Sequence, residues 1–151
     1  MKNFNSVDEI LDFAISAEQE AVNFYLDLSK SVKNPEMQSV FSEFAQEEIK
    51  HKAKLQKVKE EKIFELAESK LLDLKIADYT VVVKPALEMS YQDALILAMN
   101  REKAAFKLYS NLSAKTDEPN LKSLFLSLAQ EESRHKLRFE IEYDEYILKD
   151  N

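Results

Sequence analysis

Ala45-Gln46-Glu47-Glu48-Ile49-Lys50-His51-Lys52 returns later in the chain as Ala129-Gln130-Glu131-Glu132-Ser133-Arg134-His135-Lys136, at an offset of 84 residues (48 to 132, 51 to 135). Each copy contains Glu-x-x-His, and the two histidines, one per copy, are the only ones in the chain. On a helix, residues i and i+3 share a face one turn apart, so a carboxylate and an imidazole at this spacing can grip one metal ion. The repeat extends outward without a gap from about Ser6 to Lys59, where Ala14, Glu18, Ala21, Tyr25, Leu28, Pro35 and Phe41 all meet identical residues 84 positions on. Two amphipathic helices alone cannot cover their own apolar stripe, so two copies of such a hairpin, facing each other, are what the duplication predicts.

The apolar stripes are legible residue by residue. Val7, Leu11, Ala14, Glu18, Ala21, Tyr25 and Leu28 step alternately by four and three, as do Met37, Phe41, Phe44, Glu48, His51, Leu55 and Val58. The second copy reads Tyr91, Leu95, Ala98, Glu102, Ala105, Tyr109, Leu112 and then Leu121, Phe125, Leu128, Glu132, His135, Phe139; the pattern frays at Glu142, although Tyr143, Tyr146 and Ile147 could still pack. Ser6-x-x-Glu9 is a capping box and Ser90 its counterpart, while Pro35 and Pro119 suit the first turns of the second and fourth helices. The long connection from Glu60 to Met89 is expected to carry a short helix over Leu71–Tyr79 and an extended stretch over Thr80–Pro85. Lys50, Lys52, Lys54, Lys57, Lys59 and Lys62 read as a solvated face beside the negative end of a helix dipole, with a docking patch for an acidic redox partner as the alternative. The expected fold is all-α: one domain over residues 1–151, a four-helix bundle made of two repeated helical hairpins joined by a long crossover.

Composition agrees. The 151 residues are 45% hydrophobic and 32% charged, with no glycine and three prolines, which favours long helices over sheets and tight turns. The net charge of −7, without a dense basic block, argues against nucleic acid as partner. No apolar run is long enough to span a bilayer, no signal peptide is evident and cysteine is absent, so a cytoplasmic location is expected. The lack of cysteine also excludes a thiolate iron site within this chain.

Glu18, Glu48, His51, Glu102, Glu132 and His135 occupy positions where core residues belong. Four ionised carboxylates at one depth of a bundle cost several kcal/mol each unless something neutralises them. Two divalent cations balance the four charges while both imidazoles stay neutral. Oxygen-rich coordination with one imidazole per metal suits iron or manganese, and zinc can occupy it as well. Tyr25 and Tyr109 lie two turns past Glu18 and Glu102 and are expected to donate to a ligating carboxylate of the opposing hairpin, with ordinary aromatic packing as the alternative. Ala21 and Ala105 either leave room beside the metals for a small molecule or serve close helix packing, and Phe41, Phe44, Phe125 and Phe139 read as core.

Glu18-x-x-Ala21 leading to Phe24-Tyr25, Glu48-x-x-His51, Glu102-x-x-Ala105 leading to Tyr109, and Glu132-x-x-His135 together resemble the rubrerythrin branch of the ferritin-like di-iron carboxylate superfamily, in a short form without a rubredoxin domain. The resemblance implies a centre of two iron ions bridged by Glu48 and Glu132, with Glu18 and Glu102 as terminal ligands and one histidine on each iron. It also implies a peroxidase that reduces hydrogen peroxide, or dioxygen, with electrons from a separate donor such as rubredoxin in an NADH-linked chain. A homodimer is implied as well. Ala105 stands where the family tends to carry an extra glutamate, which brings the set close to that of bacterioferritin ferroxidase centres. Ferroxidase or iron-handling activity and a non-catalytic metal-binding bundle are the alternative expectations.

Overall fold

In the computed structural model the residues described are 3–62, 74–81 and 89–150, without the side chains of 149 and 150. Four long helices dominate: α1 (Val7–Ser31), α2 (Pro35–Glu61), α3 (Tyr91–Lys115) and α4 (Pro119–Asp150). A short 3-10 turn spans Ile76–Asp78, and no β-strand is found among the described residues. The chain divides into two compact units, Lys2–Lys75 with the α1–α2 hairpin and Ile76–Asn151 with the α3–α4 hairpin. No helix among the described residues is long and apolar enough to cross a membrane.

Each helix starts where local chemistry dictates. Ser6 accepts a hydrogen bond from the Glu9 amide at 3.1 Å, and Ser90 accepts one from the Asp93 amide at 3.0 Å. These bonds satisfy one of the four amides that a helix start leaves without a carbonyl. At α2 the Asn34 side chain accepts from the amides of Glu36 (2.9 Å) and Met37 (3.4 Å), with Pro35 in the first turn. At α4 the task falls to Glu118, whose carboxylate accepts from the amides of Asn120 and Leu121. The duplicated hairpins therefore conserve the proline and not the cap. Ser6→Ala and Ser90→Ala are each expected to cost about 1 kcal/mol, read as a fall in melting temperature of roughly 2–4 °C for a chain of this size.

In the first unit, α1 and α2 pair along the predicted seam. Leu11, Ala14, Ala21, Tyr25, Met37, Phe41, Phe44, Leu55 and Val58 are all buried. The preceding segment straps across its own unit: the Phe4 amide donates to the Leu74 carbonyl at 3.3 Å, Asn3 bridges to Lys75, and the Phe4 ring meets Phe13 edge-on at 5.4 Å. The helix expected over Leu71–Tyr79 is thereby corrected in its described part. Leu74 and Lys75 are spent on pairing with the N-terminal segment, and only the 3-10 turn Ile76–Asp78 follows. Residues 71–73 and the valines of the expected extended stretch beyond Val81 lie outside the described residues.

In the second unit, Leu95, Ala98, Tyr109, Leu112, Leu121, Phe125, Leu128 and Phe139 form the buried seam. α4 continues past Glu142 to Asp150, and Tyr143 and Tyr146 pack as the sequence allowed. Its last turns are held by α3: Tyr91 donates to Glu142 at 2.8 Å, Gln92 donates to the Tyr143 hydroxyl at 3.3 Å, and the Tyr91 and Tyr146 rings meet edge-on. Polar tertiary contacts of this kind leave no trace in an apolar periodicity. Asn111 donates to the Tyr79 hydroxyl at 2.7 Å, tying the 3-10 turn to α3.

Candidate metal centre

In the first unit Glu18 comes from the middle of α1, and Glu48 and His51 from successive turns of α2. His51 Nδ1 lies 3.7 Å from Glu18 Oε2 and 3.3 Å from Glu48 Oε1. The second unit repeats the arrangement, with His135 Nδ1 3.6 Å from Glu102 Oε2 and 3.8 Å from Glu132 Oε1. All six side chains are at most 2% exposed. Within each triad the donor atoms lie within 4.8 Å of one another. Neighbouring ligands of a metal with bonds of roughly 2.0–2.2 Å stand at about such spacings. One imidazole and two carboxylates per hairpin form a donor set that fits iron or manganese and tolerates zinc.

Electrostatics within the first triad shows what a cation would replace. Burial alone pushes the His51 imidazole down, but hydrogen bonding and charge from Glu18 and Glu48 outweigh it and raise the group from 6.5 to about 11. In the metal-free protein the protonated ring therefore serves as the local cation. Because the folded value lies above the unfolded one, this contribution to stability is complete below about pH 6.5 and lost as pH rises through about 11. The metal-free protein is expected to melt at falling temperature across that window, with a shallower slope in His51→Gln; equal slopes would refute the assignment.

The tyrosines are in place as aromatic neighbours. Tyr25 is fully buried and stacks on Phe41 at 6.1 Å, and Tyr109, equally buried, stacks on Phe125 at 6.4 Å. Ala21 is buried one turn after Glu18, while Ala105, one turn after Glu102, is half-buried. Two residues of the lysine-rich face of α2 also make contacts across to α1. Lys52 Nζ donates to Gln19 Oε1 at 2.6 Å, and Lys59 Nζ pairs with Asp12 at 2.5 Å, so both tie α2 to α1. The first of these ties links the residues next to Glu18 and His51. Its partner Gln19 has no counterpart in the repeat, where Lys103 stands, and Lys136 instead pairs with Glu140 on its own helix. On α3, Arg101 sits beside Glu102 with its Nε shielded from solvent.

No curated protein and no solved structure matches the chain at a significant level. The family model described as Rubrerythrin matches residues 9–143, nearly the whole chain and both triads, so the chain belongs to the rubrerythrin family of ferritin-like helical bundles.

Proposed function

We propose that the protein is a non-haem di-iron oxidoreductase that reduces hydrogen peroxide, or dioxygen, with electrons from an external donor, and so protects against oxidative stress. The observation that carries the reading is the doubled triad: twice in one chain, a buried imidazole nitrogen is flanked by two buried carboxylates. Membership of an iron-binding family supplies the metal. In this reading residues 1–151 act as one domain, and Glu18, Glu48, His51, Glu102, Glu132 and His135 would together hold one dinuclear centre.

The residues divide the work. The four carboxylates would hold the two cations and balance their charge, and a metal pair so held supplies two positive centres for one small molecule. The buried Phe41, Phe44, Leu55, Phe125, Leu128 and Phe139 keep bulk water away, which strengthens every charge interaction inside. Ala21 and Ala105 leave space beside the ligands. Tyr25 and Tyr109 orient the carboxylates of the opposite hairpin through their hydroxyls. Converting peroxide to two waters consumes two electrons and two protons, and the iron pair, when bound, supplies the electrons. With no cysteine in the chain, those electrons are replaced by a separate protein such as rubredoxin. A cytoplasmic homodimer completes the reading, and Leu126, Leu137, Ile141 and Leu148, exposed along one side of α4, offer apolar surface for it.

Ala105 favours a second reading, because four glutamates and two histidines without a further carboxylate also make a ferroxidase set. The decisive experiment loads Fe(II) anaerobically and adds substoichiometric peroxide with and without reduced rubredoxin. Repeated oxidation and reduction without iron loss is the expected result. A single oxidation followed by iron release or mineral formation would establish the ferroxidase, and tight metal with no peroxide-dependent oxidation would leave a binding protein.

A further inference from the structure

Packing does not account for the lysine-rich half of α2. From Lys50 to Lys59, five of ten residues are lysine and none is acidic, in a chain whose net charge is −7. A helix dipole draws cations to its last turn only. α2 ends at Glu61, and in its last turn Lys59 is the one basic residue, beside Glu60 and Glu61. Lys54 and Lys50 stand about two and three turns before that end. Lys52 and Lys59 are engaged by Gln19 and Asp12 of α1. Lys50, Lys54 and Lys57 are exposed and form no ion pair with a described residue.

Spaced by four and then three residues, these three lysines make one row along the outside of the helix. Ile49, 41% exposed, and the exposed Ala53 form the row beside it. The second hairpin has diverged at the same places. Ala53 and Lys57 have Leu137 and Ile141 as counterparts (53 to 137, 57 to 141), and Glu140 and Glu142 interrupt the cations there. Arg138, the counterpart of Lys54, stands 3.9 Å from Glu142. A hairpin of this fold therefore forms without a row of unpaired lysines, and the row on α2 is an addition.

We propose that this face of α2 is the docking surface for the external electron donor, a small protein with an acidic surface. Unpaired lysines beside a small apolar strip match acidic side chains around a similar strip. The rest of a molecule of net charge −7 repels such a partner, so its approach is confined to this face. Electron-transfer complexes bury little surface, and one helix face is enough for them. The row brackets His51 in the sequence, so a partner seated on it stands within one helix diameter, about 10–12 Å, of that imidazole. In each encounter the donor loses one electron and the oxidised metal pair gains it. Two encounters replace the two electrons that one peroxide takes up.

This inference names the partner of the peroxidase proposed above and rests on that reading. Its test titrates the full-length, Zn(II)-loaded protein into 15N-labelled oxidised rubredoxin, an acidic probe whose amide shifts read binding without peroxide chemistry. Stopped-flow reduction of the peroxide-oxidised, iron-loaded protein by rubredoxin runs in parallel. At low ionic strength, affinity is expected to fall by at least about tenfold in Lys50→Glu/Lys54→Glu/Lys57→Glu, and wild-type affinity to fall steeply with added salt. The rate of reduction should follow the same order. Lys30→Glu/Lys33→Glu/Lys122→Glu changes three exposed lysines elsewhere by the same charge and should stay close to wild type. Metal content and circular dichroism melts check that both variants are intact. Equal losses in the two variants would overturn the inference, as would unchanged affinity in the first or no binding of rubredoxin at low salt. Capture of phosphatidylserine vesicles by the same lysines, with rubredoxin unaffected, would assign the face to a membrane and overturn it too. Rubredoxin held by these lysines on a protein whose iron peroxide fails to oxidise would uphold the docking face and overturn the peroxidase.

Discussion

Replacing Glu48 and Glu132 together by alanine is expected to abolish paired metal binding. After Fe(II) or Mn(II) loading and dialysis, the wild-type chain should retain two ions and the Glu48→Ala/Glu132→Ala variant essentially none. Each substitution removes a carboxylate that serves both ions in the proposed centre, so the losses compound. Changing a residue that merely supports a ligand weakens metal affinity by about 10–100-fold, and losing a shared ligand exceeds that. The variant should nevertheless fold. Glu18 still faces His51 at 3.7 Å and Glu102 still faces His135 at 3.6 Å in the variant, and a circular dichroism melt checks its fold. A double variant that still held two ions would remove the ligand assignment.

The second large effect is thermal. A ligand that binds only the folded state stabilises it by about 2.7 kcal/mol per site at one hundred times its dissociation constant. For two sites in a chain of this size, that corresponds to a rise in melting temperature of roughly 10–20 °C. Differential scanning calorimetry of the metal-free protein, titrated with Mn(II) to avoid oxidation, reads the shift directly. The double alanine variant serves as the control and should melt at one temperature with or without metal. A wild-type melt indifferent to Mn(II), Fe(II) and Zn(II) would mean that the triads are ordinary buried hydrogen-bonded groups, and the proposed function would fall with them.

Several features of the molecule could be read only in coordinates. The lysine-rich stretch of α2 looks uniform in sequence, yet Lys52 and Lys59 reach across to Gln19 and Asp12, and only helix pairing shows which lysines do so. α4 runs past the end of its apolar pattern because Tyr91 and Gln92, some fifty positions earlier, hold Glu142 and Tyr143. Leu74 and Lys75 pair with Phe4 and Asn3 of the N-terminal segment, a contact between distant residues that no local pattern contains.

What the sequence determined by itself was the helical periodicity, the duplication at an offset of 84 and the six ionisable residues inside an apolar seam. All three follow from spacing along one chain, which a fixed helical pitch converts into a face. Tertiary structure decided how each imidazole is turned. Nδ1 of His51 and of His135 faces the glutamate of the neighbouring helix as well as that of its own, and this depends on the rotation of one helix against another, a quantity that no spacing within a single helix contains.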